Sequence, residues 1–216
     1  MNDVLSKLGQ SIRELRSYQH LTVSGDDEGL EEVSLADLGE LTHAFREMFG
    51  FGCPETLQVG LALPDLLSVN WQADPKVSGE LALSNHFLTM NRTIDESLSD
   101  RVMKGVKLGD TRILDAVVLH GGPIHVVVPT SRAGLGEQLY VFNTREMFEL
   151  EIDYTEYLRQ LSFSKGVTYW QYLFCRNLRL TGFEKAVLQQ ELAFLQLAFP
   201  AGDYQRLQAK WNEKMV

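Results

Sequence analysis

Cysteine is scarce in this chain of 216 residues: there are two, Cys53 and Cys175. A disulfide-stapled scaffold is thereby excluded. Cys175 sits in an aromatic run with Tyr169, Trp170, Tyr172 and Phe174, which predicts a buried thiol rather than half of a disulfide. Six prolines and 17 glycines are too few for a low-complexity or collagen-like chain. Long apolar runs are missing, and a helical membrane span needs about 20 such residues in a row. The first residues, MNDVLSKLGQSIREL, hold no cationic stretch followed by an apolar core, so no signal peptide is expected and the cytoplasm is the expected location. Catalytic signatures are absent too. There is no Gly-x-Ser-x-Gly, no His-Glu-x-x-His and no Cys-x-x-Cys, which makes enzymatic activity the minor reading.

What is present suits a globular domain. Hydrophobic residues make up 44% and charged residues 23%, and a chain of this length buries roughly 70% of its unfolded surface without staples. Positive charge is the minority: the net charge is −9. A phosphate backbone would be repelled, so no nucleic-acid partner is expected. The acid is concentrated. Residues 23–40 hold Asp26, Asp27, Glu28, Glu31, Glu32, Asp37 and Glu40 with no Lys or Arg. Such a region steers a basic partner; as a solvated loop and helix start it would simply keep the protein soluble.

Helical periodicity marks 3–19, with Val4, Leu5, Leu8, Ile12 and Leu15 on one face. The acidic stretch 22–33 reads as a loop. Ser34 is placed to cap a second helix carrying Leu35, Leu38, Leu41, Phe45, Met48 and Phe49, stopped by Gly50, Gly52 and Pro54. Pro64 can open a short helix, PDLLSVNW. Strands are expected at 79–84, 113–120, 125–130, 137–143 and 147–152, with Gly121, Gly122 and Pro123 as a hairpin turn. ILDAVVL is apolar enough for a central strand covered on both faces. Residues 88–112 read as a loop with one helical turn. Asp153 with Glu156 and Thr181 with Glu184 open C-terminal helices, and VTYWQYLFCRNL reads as another. The helix at 181 would anchor through Phe183, Val187, Leu188, Leu192, Leu195 and Phe199, and a last one through Tyr204, Leu207 and Trp211. Helices, a run of strands, then helices predict an α+β fold with a mostly antiparallel sheet. Helices should cover one sheet face and leave the other partly open for binding.

Candidate chemistry is sparse. His120 and His125 flank the predicted turn and could share zinc, with His86 or Asp115 as a third ligand; two ordinary strand-end histidines are the alternative. Ser131–Gly136 could cradle an anion, or it is a hairpin loop that needs glycine at positive φ. The aromatics around Trp170 are core, or a partner's anchor if exposed.

One longer pattern stands out. GEQLYVFNTREMFELEIDYTEYLRQL resembles the closing part of the SUKH superfamily, which includes fungal cell-wall-assembly regulators, the Syd proteins and bacterial immunity proteins. The resemblance rests on a strand at Leu139–Asn143, a turn, a strand at Phe148–Ile152, then Asp153 and the helix Tyr154-Thr-Glu-Tyr157-Leu158. SKGVTYWQYLF resembles an extension of some members. LALPDLLSVNWQ followed by GELALSN is similar to the superfamily's proline-led helix and glycine-led strand. The resemblance covers about 64–174 and implies a protein-binding module without shared catalytic residues. The whole of 1–216 is then expected to form one such domain, with N-terminal helices over 3–49 and a helical extension from about 181 to 216. Its expected function is that of an immunity-type protein that covers a toxin, contacting it through Asp26, Asp27, Glu28, Glu31, Glu32 and Arg132, with no cofactor, metal or membrane. A regulatory scaffold with an endogenous partner, and an enzyme or metal protein using His120 and His125, are the alternatives.

Overall fold

A computed structural model describes residues 2–26, 35–61, 63, 66–74, 77–84, 96–119, 122–132 and 134–215. The fold is α+β: among the described residues, six α-helices accompany three antiparallel sheets.

Helix α1 (Asn2–Ser17) buries Val4, Leu5, Leu8, Ile12 and Leu15, the face its periodicity marks. The next segment corrects the loop expected at 22–33. Thr22–Asp26 is strand β1, antiparallel to β2 (Leu66–Asp74), with Val23 opposite Trp71. Its acidic surroundings hid a β-branched pair, Thr22 and Val23, of which Val23 packs on the core. Ser34 lies outside the described residues. Helix α2 (Leu35–Phe49) buries Phe45, with Leu38, Leu41 and Phe49 packed partly against the core; Met48, expected in the stripe, is exposed. Gly50 ends the helix at φ +74°. A 3-10 turn at Glu55–Leu57 then runs into α3 (Gln58–Leu61).

The helix expected from Pro64 is instead β2. Val69 and Trp71 are buried while Asn70 and Gln72 are exposed. A period of two leaves a strand one clean apolar face, whereas a helix would scatter these residues around its circumference. β2 pairs with β3 (Val77–Ser84), giving the order β1-β2-β3. Gly79 faces Trp71, and a Cβ there would lie 2.6 Å from the indole ring.

The small hairpin β4 (Val102–Met103) and β5 (Val106–Lys107), between 3-10 turns at Glu96–Leu98 and Leu108–Asp110, occupies much of the expected loop at 88–112. Next come β6 (Thr111–Leu119), β7 (Gly122–Ser131), β8 (Gly134–Leu135), β9 (Tyr140–Phe142) and β10 (Met147–Glu149). Their order is β10-β9-β7-β6, with β8 on β7. The expected hairpin is there, Leu119 opposite Gly122.

Two expectations fail in this sheet. β6 is the last strand in the hydrogen-bonded order, not a central one, although both its faces are covered. And the second face is not open. Val126 and Val128 face the main core, while Val127 joins Leu108, Ile113, Phe142 and Met147 in a second core. Leu98, Met103 and Val106 cover it, so the 96–110 segment is a lid on the sheet.

Helix α4 (Tyr154–Ser164) is capped by Asp153, which accepts the Glu156 N–H at 2.8 Å, and buries Tyr154, Tyr157, Leu158 and Leu161. Trp170–Phe174 forms a 3-10 turn rather than the helix expected there. All five of its residues are buried, so it has no polar face to present to water as a surface helix must. The aromatic run is thus core, and Trp170 is 1% exposed. Helix α5 (Gly182–Ala198) starts at the Thr181–Glu184 capping box. Its buried residues include Leu188, Leu192 and Leu195, but Phe183, expected as an anchor, is 65% exposed. Helix α6 (Gln205–Met215) buries Leu207 and Trp211. Cys53 and Cys175 are both buried free thiols. No helix among the described residues is long and apolar enough to cross a membrane.

Candidate functional site

The acidic run begins on the outermost strand of the first sheet. Among the described residues β1 pairs only with β2, so its far edge carries main-chain donors and acceptors outside the ladder. Asp26 is its last residue, opposite Ser68; Asp27, Glu28, Glu31 and Glu32 lie outside the described residues. Thr22, Ser24 and Gly25 are exposed, and Val23 packs against the core. Gly25 has φ +110°, and a Cβ there would sit 1.9 Å from the Ser68 carbonyl oxygen. Glycine is therefore what lets the strand lie against β2 just before the acids begin. Arg16 reaches across from α1 to the Gly25 carbonyl at 3.5 Å.

Arg132 is exposed at the β7–β8 turn, in the other sheet. The structure does not join it to β1 through any shared ladder. Its loop is a hairpin, with Ser131 opposite Gly134 and Gly134 at φ +127°. That is the glycine requirement expected for a turn.

The proposed histidine site does not assemble from the described residues. His120 and His86 lie outside them. His125 points into the second core, its ring stacked on Phe142 at 6.3 Å, and burial lowers its pKa. Asp115, the imagined third ligand, faces the opposite side of the sheet toward α4. Among the described residues no group of three His, Cys, Asp or Glu is placed to hold a metal ion.

Three ionisable residues are buried in the structure, and none of them announces its burial in the sequence. Asp115 is fully buried and accepts a short hydrogen bond from the Tyr157 hydroxyl. A register shift between Ile113 and Asp115 lets Leu114 and Asp115 both turn inward. Burial, with the nearby Glu80 carboxylate adding to it, pushes the Asp115 carboxyl up to about 7. Glu191, on the buried side of α5, accepts the Thr168 N–H at 2.5 Å, and burial pushes it up to about 8.

Lys165 is the third. It caps α4 in the left-handed region at φ +51°, a conformation non-glycine residues seldom hold. Its carbonyl accepts the Trp71 indole N–H at 2.6 Å. Its ammonium donates to Glu14 Oε2 at 2.6 Å and Ser11 Oγ at 3.1 Å, and lies 4.6 Å from the centre of the Phe199 ring. Beside it is a cavity of about 240 Å³ whose wall includes Lys7, Gln10 and Tyr204. The ammonium's three donors are spent on a carboxylate, a hydroxyl and an aromatic face. The arrangement therefore fastens α1, α4 and β2 together.

No protein-family model, curated protein or solved structure matches the chain.

Proposed function

We propose that this chain is a protein-binding module of the SUKH type, acting as an immunity protein that neutralises a basic toxin by covering it. The observation that carries the reading is the exposed polar edge strand β1, which ends at Asp26 and leads into the densest acid in the chain. An open strand edge offers main-chain hydrogen bonds to an incoming chain. The acids beside it supply long-range attraction to a basic surface, which accelerates encounter and sets orientation. The β9–turn–β10–Asp153–α4 succession, on which the resemblance rests, supports the family side of the proposal.

The test is kinetic. The partner is first captured by cross-linking and mass spectrometry in the source cells, and its binding domain purified. Asp26, Asp27, Glu28, Glu31 and Glu32 are then reversed to Lys together. The association rate is expected to fall at least tenfold at low ionic strength, and its salt dependence to invert or vanish. The dissociation rate should change far less, because rim charges act mainly on encounter. An unchanged association rate with unchanged salt dependence would overturn the steering role.

A further inference from the structure

Helix α1 has a second face besides its apolar one. Lys7, Gln10, Ser11 and Glu14 are spaced so that they stack along one side of the helix. That side is one wall of the cavity of about 240 Å³ beside Lys165; the end of α4 and the turn 201–204 between α5 and α6 form the others. Ser11 is buried and donates to the Ser162 carbonyl at 2.8 Å. The Glu14 carboxylate is fixed from two sides: Gln10 Nε2 donates to one oxygen at 2.9 Å and Lys165 Nζ to the other at 2.6 Å. Its side chain is still 40% exposed, so an oriented carboxylate is presented at the cavity. On the turn, a Cβ at Gly202 would lie 2.4 Å from the Tyr204 ring. Glycine lets that ring close onto the turn, where its hydroxyl donates to the Phe199 carbonyl at 3.1 Å. Asp203, between the two, is exposed and accepts the Gln205 N–H at 3.3 Å.

We infer that this cavity binds a free α-amino acid with a small apolar side chain. The charges choose the class. Four charged side chains line the cavity, Lys7 and Lys165 against Glu14 and Asp203. A plain anion or a plain cation would meet two like charges along with two opposite ones. A zwitterion, set the right way round, meets partners at both ends. Lys165 is not one of those partners, because its donors are spent on Glu14, Ser11 and the Phe199 ring; its part is to position Glu14. The ligand carboxylate then falls to Lys7. The Lys7–Asp3 pair has side chains 36% and 63% exposed, and an incoming carboxylate can replace so weak a partner. The ligand ammonium falls to Glu14 and Asp203. A carboxylate offers roughly four lone-pair sites, and the Gln10 and Lys165 bonds take two of those on Glu14. Size and polarity choose the side chain. At about 30 Å³ per water the space is worth about eight waters, or roughly eight to ten bonded heavy atoms. The main chain of an amino acid takes about half of them, which leaves room for the side chain of valine, leucine or methionine. Phe163 is the apolar part of the wall, and the Lys7 ammonium lies 5.9 Å from the centre of its ring. An apolar side chain can therefore rest on Phe163 while the carboxylate reaches Lys7 beside it. The bound ligand joins α1, α4 and the α5–α6 turn. The inference does not depend on the role proposed for β1.

The test is a titration of the whole chain, followed by NMR shifts, with L-valine, L-leucine and L-methionine. Two truncated forms of leucine run beside them: isopentylamine, which lacks the carboxylate, and 4-methylpentanoate, which lacks the ammonium. At least one of the three amino acids should bind with a Kd below about 1 mM, and each truncated form at least tenfold more weakly than leucine. Lys7→Met should erase the gap between leucine and isopentylamine. Asp203→Asn, which keeps an acceptor for the Gln205 N–H, should narrow the gap between leucine and 4-methylpentanoate at least threefold. Urea midpoints of both variants near that of the wild type establish that they are folded, and saturating amino acid should raise the wild-type midpoint. No binding of any of the three at 20 mM would overturn the assignment. So would a truncated form that binds as tightly as leucine, or a Lys7→Met variant that still prefers leucine to isopentylamine tenfold.

Discussion

Replacing Asp115 by Asn is expected to stabilise the protein at pH 8 by about 3 kcal/mol and to destabilise it slightly at pH 4. The cause is the position of the carboxyl. It is fully buried, its pKa is pushed up to about 7, and its ordinary value is 3.8. Between those values the folded chain holds a proton that the unfolded chain has released. Stability is then greatest below about pH 4 and falls as pH rises, by about 1.4 kcal/mol per unit. By pH 7–8 the loss amounts to about 4 kcal/mol, a large part of a typical folding free energy. Asparagine keeps an acceptor for the Tyr157 hydroxyl and has no proton to lose. Its amide would lie near the place of Asp115 Oδ1, a buried atom without a hydrogen-bond partner, which costs about 1 kcal/mol at every pH. Glu191 acts with the same sign over a higher window, since burial pushes it up to about 8, and Glu191→Gln should flatten that part of the curve. Two kinds of group act in the opposite direction as pH falls: His125, whose buried ring resists the proton that the unfolded chain takes up below about pH 6.5, which offsets part of the gain, and carboxylates held low by lysines, such as Asp3 and Glu151, which sit nearer the solvent, where such pairs contribute little. The wild type should therefore be most stable near pH 4–5 rather than near neutrality. Urea denaturation from pH 4 to 8.5 measures this directly. A wild-type stability that climbs between pH 5 and 8, or an Asp115→Asn effect independent of pH, would refute the account.

The contrast between what the sequence reveals and what it conceals follows from which forces are local. The helices were legible because their signals lie within a few residues. Val4 to Leu15 repeat at helical spacing, and the Asp153 and Thr181–Glu184 caps act over three residues. The β6–β7 hairpin was legible because its turn glycines separate two β-branched runs. β2 is masked in the sequence because Pro64, a good helix opener, competes with the alternation of Val69, Asn70, Trp71 and Gln72 that marks the strand. The covered second face of the sheet could not be read, because it depends on where the 96–110 segment folds back. Of the candidate site, the acid run was plain in the composition, but nothing local announced that it follows an edge strand. Asp115, Lys165 and Glu191 stayed hidden for a different reason. A charged residue is read as surface by default. Glu191 nevertheless sits beside Leu192 and a turn from Leu188 and Leu195, on the buried side of α5.

Gly166→Ala should be severely damaging for the addition of a single methyl, with an expected loss of about 3–5 kcal/mol. Gly166 follows Lys165 out of α4, and both hold positive φ, +70° and +51°. Left-handed backbone alone costs an alanine about 1–2 kcal/mol. The larger cost is steric. A Cβ on Gly166 would lie 2.0 Å from the Glu80 carbonyl oxygen, 2.4 Å from its carbon and 2.8 Å from the Leu81 nitrogen. All three are main-chain atoms of β3, with no flexible end to swing aside. Relief requires the end of α4 and the sheet to separate, at the place where they are fastened. The Glu80 N–H donates to the Gly166 carbonyl at 2.9 Å, and Gly79 bridges Val167. One residue earlier the Trp71 indole holds the Lys165 carbonyl. Separation strains all of these, and with them the Lys165–Glu14 ion pair. Gly182→Ala is the matched control. That glycine opens α5, and a Cβ there meets nothing within 4 Å. It should be neutral, or stabilising by up to about 1 kcal/mol, because alanine loses less backbone freedom on folding. Urea midpoints of the two variants against wild type decide the matter. A Gly166→Ala variant within 1 kcal/mol of wild type would mean that α4 is not seated on β3 as described, and the Lys165 clamp would lose its foundation with it.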